Sequence, residues 1–143
     1  MIKGIDFTGI TVSFYCHDGK GEYLLHKRTT KCRDEHGAWD CGGGGLTFGE
    51  TLEDGLKREI QEEYGTKPKE IQFLGFDEVF REHEDKPTHW ISFRYRVLLD
   101  REKVVNGEPE KIEELSWHKI SDFPIPLHSQ MKSALEKYSS FLV

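Results

Sequence analysis

Three glutamates, Glu59, Glu62 and Glu63, fall within five residues of a stretch with helical period. Four consecutive glycines, Gly42 to Gly45, precede it. At about 100° per residue, Leu52, Leu56 and Ile60 form one apolar stripe, and Glu59 and Glu63 overlap or border it. Asp54, Lys57, Arg58 and Gln61 take the opposite side. Carboxylates spaced i, i+3, i+4 reach a common point, and beside a core they repel and lose hydration unless a cation joins them. Hard oxygen ligands at that density suit Mg²⁺ or Mn²⁺. A glycine segment beside them lets the backbone approach a phosphate or a metal where a Cβ would intrude.

Two familiar phosphate loops are excluded. "GGGGLTFGE" lacks the Lys of a Walker loop, and no register supplies the third Gly of a dinucleotide fingerprint.

Elsewhere the chain supplies strands. Gly9 to Cys16 and "EYLLHKR" read as a hairpin around "HDGKG", and "AWDC" as a short strand entering a glycine loop. Thr51 to Tyr64 reads as a helix, with Thr51 and Asp54 resembling a capping box and Gly65 as its C-terminal cap. "IQFLGFDEVF" and "HWISFRYRVLL" read as long strands joined by "REHEDKP", where Pro87 suits a turn. His89 and Trp90, which open the second of them, read as sheet-packing residues. "DREKVVNGEPEKIE" reads as a loop, "LSWH" as a strand, and "HSQMKSALEKY" as a last helix. Strands with one central and one terminal helix predict an α+β sandwich.

The 143 residues fit one domain, 1–143. A net charge of −6 with no basic stripe disfavours a nucleic acid polymer as partner. No apolar run suits a membrane span, and the N-terminus lacks the build of a secretion signal, so the expectation is a cytoplasmic protein without membrane contact. Cys16, Cys32 and Cys41 are odd in number and contain no CxxC, which points to reduced thiols. Cys32, His36 and Cys41 match no common zinc spacing.

The pattern G-x5-E-x7-R-E-U-x-E-E-x-G-U (U aliphatic) is filled by Gly44, Glu50, Arg58, Glu59, Ile60, Glu62, Glu63 and Gly65. With these residues the chain resembles the Nudix hydrolase family. The flanking strands, "HWISF" and "EELSWHKISDFP" extend the resemblance over most of the chain. It implies a mixed β-sheet between helices, the box forming loop–helix–loop. It implies that Glu59, Glu62 and Glu63, with the Gly43 carbonyl, hold Mg²⁺, for which Mn²⁺ can substitute. A box glutamate would help deprotonate or orient the attacking water. Gly43 and Gly44 would approach the substrate diphosphate, and Arg28 would contact its phosphates. Glu50 and Arg58 would pair to support the box. A downstream glutamate would assist catalysis, with Glu110, Glu113 and Glu114 as candidates and Glu113 preferred.

The implied reaction is hydrolysis of a nucleoside diphosphate linked to another moiety. The tracts "GGLTFGET" and "EPEKIEELSWHKISDFP" lean toward a (d)NTP cut to (d)NMP and pyrophosphate. The alternatives are an ADP-ribose or sugar-nucleotide pyrophosphatase, and a nucleotide-binding module without turnover. An interaction protein with an acidic helix would leave the glycines without a purpose. The implied partner is a small nucleotide, and homodimers are common in the family. Three positions depart from the family's pattern: Gly42 for Pro, Thr47 for an acidic residue, and Thr66 for an aliphatic one.

Overall fold

The computed structural model describes residues 1–140 and 142. Seven strands form one mixed sheet, and a helix covers each face. In chain order the strands are β1 (Gly9–His17), β2 (Tyr23–Arg28), β3 (Trp39–Asp40), β4 (Gly42–Gly45), β5 (Glu70–His83), β6 (Lys86–Leu98) and β7 (Ile112–His118). The helices are α1 (Leu52–Tyr64) and α2 (Ser129–Tyr138). The α+β sandwich expected from the sequence is therefore observed.

β1 is the organising strand. It runs parallel to β6 along its whole length, from Gly9↔Trp90 to His17↔Leu98, and antiparallel to β4 from Thr11↔Gly45 to Phe14↔Gly42. Because successive side chains point to opposite faces, Val12, Phe14 and Cys16 enter one core and Tyr15 the other. Leu56, Ile60 and Tyr64 of α1 close the first core; Met131, Ala134 and Tyr138 of α2 close the second. Leu56 and Ile60 are fully buried, each contributing about 1.5–3 kcal/mol of hydrophobic stabilisation.

The ends of α1 follow the sequence. The Thr51 hydroxyl accepts the Asp54 N–H at 3.1 Å, a cap that stabilises by about 1 kcal/mol. Gly65 ends the helix at φ 66°, and its N–H donates to the Gln61 carbonyl.

Three expectations need correction. The predicted β1–β2 hairpin pairs only at His17↔Tyr23, after which β2 turns away and pairs with β7 along its length. Strand pattern predicts a strand's existence better than its partner. The glycine quartet is an extended strand, β4, rather than a loop. Its glycines answer crowding instead of turning: a Cβ on Gly42 would lie 1.9 Å from the Phe14 ring. Pro87 lies within β6, and the turn is only Glu84–Asp85, both with positive φ. The pair flanking such a two-residue turn, His83↔Lys86, is hydrogen-bonded, so the next pair, Glu82↔Pro87, is not. The proline's missing N–H therefore costs no ladder bond.

Candidate active site

Packing of α1 against β4 creates the acidic centre. Glu59 and Glu63 are 9% and 7% exposed, as their position on the apolar stripe predicts, while Glu62 faces outward with half its side chain exposed. The Glu63 carboxylate accepts the Gly43 N–H at 3.1 Å. Gly44 lies so close to Glu59 that a Cβ there would sit 2.2 Å from the carboxylate carbon. The missing side chain at Gly44 is thus the space that Glu59 occupies.

Arg58 locks this arrangement. Its guanidinium donates to Glu50 at 2.6 and 3.1 Å, to Glu59 at 2.8 Å, to Glu62 at 3.3 Å and to the Gly45 carbonyl at 3.0 Å. One side chain therefore ties helix, strand and intervening loop together. The Arg58 hydrogen bonds, with one from the Thr47 N–H, hold the Glu50 carboxyl down at about 2.

The other two glutamates shift the opposite way. Burial raises Glu59, against the pull of Arg58, and raises Glu63 well above the ordinary carboxylate range. The charge of Glu108 raises both further, and Glu59 adds to the effect at Glu63. Two buried carboxylates with a third acid nearby is an arrangement that a divalent cation relieves.

Glu108 was not among the downstream candidates. Glu113 lies on β7, more than half exposed and paired with Lys27 at 3.8 Å, and none of Glu108, Glu110, Glu113 and Glu114 lines the adjoining cavity. The loop before β7 folds against the end of α1 instead: the Gly107 N–H donates to the Glu63 carbonyl at 2.9 Å. A Cβ on Gly107 would lie 2.1 Å from the Glu62 carbonyl. The "NGE" triplet was the available signal, a glycine needed for close approach with an acid beside it.

From Glu63 and the strand of glycines a cavity of about 340 Å³ extends across the sheet, within the range of small-ligand sites. Arg28, Arg33, Arg81 and Arg94 all line it. Arg28 is committed: it donates to the backbone and side chain of Asp34, each at 3.1 Å, and lies 3.7 Å from Asp40. Arg81 bridges Asp34 and Glu35, each at 2.9 Å, and Arg94 pairs with Asp77. Among the described residues, Arg33 alone of the four has no carboxylate partner. Arg33 is exposed, whereas Arg28, the expected phosphate contact, lines the same cavity with its guanidinium already paired.

The wall opposite α1 contains a second cluster. Asp34, Glu35 and His128 have ligand atoms within 4.8 Å of one another. His128 accepts the Gln130 N–H at Nδ1, which leaves Nε2–H to donate to Glu35 at 2.8 Å. Glu35 also accepts from the Ser129 N–H and hydroxyl, both at 2.9 Å. With arginines on both carboxylates, the cluster fastens the β2–β3 loop to α2 and β5. Trp90 lines the cavity and packs on Gly4 and Gly9, whereas His89 points to the other face and stacks on Phe80. The cysteines are unpaired, with Cys16 and Cys41 buried, and Cys32, His36 and Cys41 form no zinc set.

The chain matches the NUDIX domain over residues 8–138. It is 32% identical over 110 residues, 71% of this chain and 76% of the relative, to the nucleoside triphosphatase NudI of Escherichia fergusonii. A MutT NUDIX hydrolase from Burkholderia pseudomallei superposes with a TM-score of 0.81 at 26% identity, covering 92% of this chain and 98% of that one. The NUDIX domain of Shewanella oneidensis NrtR, solved with ADP-ribose, has a TM-score of 0.73 at 18% identity over 96% of this chain and 88% of that one, a likeness of fold alone. The chain belongs to the NUDIX family and is a pyrophosphohydrolase. No helix among the described residues is long and apolar enough to cross a membrane.

Proposed function

We propose that this enzyme hydrolyses a nucleoside triphosphate to the monophosphate and pyrophosphate with the help of Mg²⁺, for which Mn²⁺ can substitute. The observation that carries the reading is the pair of buried carboxylates, Glu59 and Glu63, raised by burial beside Glu108 and next to a strand in which a Cβ at Gly42 or Gly44 would collide with its neighbours. The likeness to a nucleoside triphosphatase supports the choice of substrate.

The residues fit a divalent site. Glu59, Glu62 and Glu63, with the Gly43 carbonyl, would hold the cations. When bound, these neutralise phosphate oxygens and make a water more nucleophilic. The protein's own residues do the rest. Arg58 and Glu50 hold the carboxylates and β4 in register. Gly43 and Gly44 let the diphosphate approach the backbone, and Arg33 meets its outer charge. Glu108, whose charge acts on Glu59 and Glu63, would be the downstream acid that orients the attacking water or takes its proton, in place of Glu113. Of the departures, Gly42 faces Phe14 and Thr66 is buried past the helix end, while Thr47 meets Glu50 through its backbone N–H, a bond that any residue but proline supplies.

The test is turnover by the purified chain on dNTPs, NTPs, ADP-ribose, sugar nucleotides and dinucleotide polyphosphates, with and without Mg²⁺. Phosphate and pyrophosphate are assayed separately, beside a Glu62→Gln, Glu63→Gln double variant. Metal-dependent pyrophosphate release from triphosphates, lost in the variant, is expected. Tight nucleotide binding without turnover by folded protein would replace the enzyme reading with that of a binding module. Preference for ADP-ribose would move the substrate assignment alone.

A further inference from the structure

One lining residue of the cavity differs in kind from the rest. Most of the wall is charged, polar or glycine, and among the described residues Trp90 is its only Phe, Tyr or Trp. Trp90 stands on β6 between Thr88 and Ser92, which share its face, and Val79 is its register partner on β5. On its other side the register partner is Gly9 of β1, which has no side chain.

The indole fills the space that Gly9 leaves. A Cβ on Gly9 would lie 2.3 Å from Cζ3 of the ring, and a Cβ on Gly4 would lie 2.3 Å from Cζ2. Gly4 is level with the sheet, because its carbonyl accepts the His89 N–H at 2.8 Å. The ring therefore lies across two bare backbones, with the Lys3 stem beside its edge, and turns its other face to the cavity. A half-buried indole held flat in this way is a π-face presented to a ligand.

Its place relative to the acidic centre fits a nucleotide. Gly9 lies three residues before Val12, and Val12 is the register partner of Gly44 on the neighbouring strand. With a rise of about 3.3 Å per residue and a strand spacing of about 4.8 Å, the seat of the ring is roughly 11 Å from Gly44. A ribose and its 5′-phosphates bridge that span, which puts the base over the indole when the diphosphate lies along β4. The edges of such a base meet groups that do not choose. The Thr88 and Ser92 hydroxyls beside the ring donate or accept as a partner requires, and the wall holds both arginines and carboxylates. Every base, by contrast, has a face to stack.

We propose that Trp90 is the platform on which the base of the substrate stacks, so that the site accepts purine and pyrimidine nucleotides alike. The proposal rests on the nucleotide reading given above and extends it from the diphosphate to the base.

The experiment is calorimetric binding of AMP, GMP, CMP, UMP and base-free ribose 5-phosphate, each with Mg²⁺, to the full chain and to Trp90→Leu and Trp90→Phe. In the wild type the four nucleotides should bind within about tenfold of one another, and each about tenfold or more above ribose 5-phosphate. Trp90→Leu should weaken every nucleotide by about tenfold and leave ribose 5-phosphate unchanged, whereas Trp90→Phe, which keeps a ring, should stay within about threefold of wild type. Indole fluorescence supplies a reading that does not depend on the folding of Trp90→Leu. AMP should quench the wild-type emission and ribose 5-phosphate should not, and the quench should vanish in Trp90→Phe, where Trp39 and Trp117 remain. The proposal is overturned by a loss that ribose 5-phosphate shares, by nucleotides that bind no better than ribose 5-phosphate, or by one base favoured beyond the tenfold range. Hydrolysis of the triphosphates, measured in parallel, separates the two readings. Turnover whose KM is indifferent to Trp90→Leu sinks this inference alone. Stacking without turnover sinks the catalytic reading and leaves this one. No binding of any nucleotide sinks both.

Discussion

On the α1 side of the cavity, hydrogen bonds join residues close in sequence. Arg58 reaches Glu50 across 8 positions, and Gly43 reaches Glu63 across 20. On the far side, Arg81 reaches Glu35 across 46 positions, Arg94 reaches Ser13 across 81, and Ser129 reaches Glu35 across 94. The near wall is a short segment folded on itself, so its chemistry can be written as a motif. The far wall exists only once β1, β5, β6 and α2 have assembled. On the proposed reading, the near wall serves the diphosphate and the far wall is left to meet the remainder of the substrate. Conserving one cleavage while varying what is cleaved requires only the second set to change.

If that division holds, the largest loss must come from the near wall. Glu63→Gln is expected to lower kcat by about 10³-fold, on the order of 4 kcal/mol of transition-state stabilisation. Thermal stability should not fall, since the change removes a charge that burial opposes. Steady-state kinetics beside a melting curve checks both. Retained activity would break the assignment of the box.

Next in size is a test of β4. Gly44→Ala should cost about 10²-fold in kcat/KM, because Glu59 must move aside and small displacements of catalytic groups are that expensive. Gly45→Ala is the matched control: its Cβ meets only the end of Lys3, at 3.5 Å, and activity should stay within about threefold of wild type. Equal losses would show that the strand needs glycine for flexibility rather than for clearance.

These two glycines also show what was legible in the sequence and what was not. The helix and the burial of Glu59 and Glu63 follow from period, and its caps from Thr51 and Gly65, because helical contacts are local. The strand character of Gly42 to Gly45 did not, since glycine is depleted in strands and the constraint comes from Phe14 and Glu59, distant in sequence. The pairing of β2 with β7, and the packing of the Gly107 loop against the end of α1, likewise depend on tertiary contacts that no pattern announces. Arg33, Arg81, Arg94 and His128 look like ordinary surface or helix residues until the strands bring them to one cavity.

Between the two walls, β2 carries a titration of its own. His26 accepts or donates to the Tyr64 hydroxyl at 2.9 Å, and burial pushes it down to about 4 from 6.5. Neutral in the fold, it takes up a proton in the unfolded chain as the pH drops below 6.5. Stability is therefore lost between about pH 6.5 and 4, amounting to about 2 kcal/mol at pH 5. Urea unfolding at pH 7 and pH 5 reads the loss, and in His26→Gln the difference between the two pH values should shrink by that amount. Because Glu59 and Glu63 titrate in both proteins, only the difference between wild type and variant assigns the effect to His26.

The smallest effect should come from the cluster that fastens the β2–β3 loop. Arg81→Ala removes a guanidinium that bridges Asp34 and Glu35, yet each carboxylate keeps a partner: Arg28 for Asp34, and His128 with Ser129 for Glu35. Residual contacts of that kind hold the loop in place while leaving it freer to move, and they leave an extra negative charge at the cavity. A polyanionic substrate feels both changes on binding, before any bond is broken. KM should rise by about 5- to 10-fold with kcat nearly unchanged. The rise should grow at low ionic strength, where the uncompensated charge is least screened. A fall in kcat of the size expected for Glu63→Gln would mean that the far wall takes part in the cleavage itself, and the division between the two walls would fail.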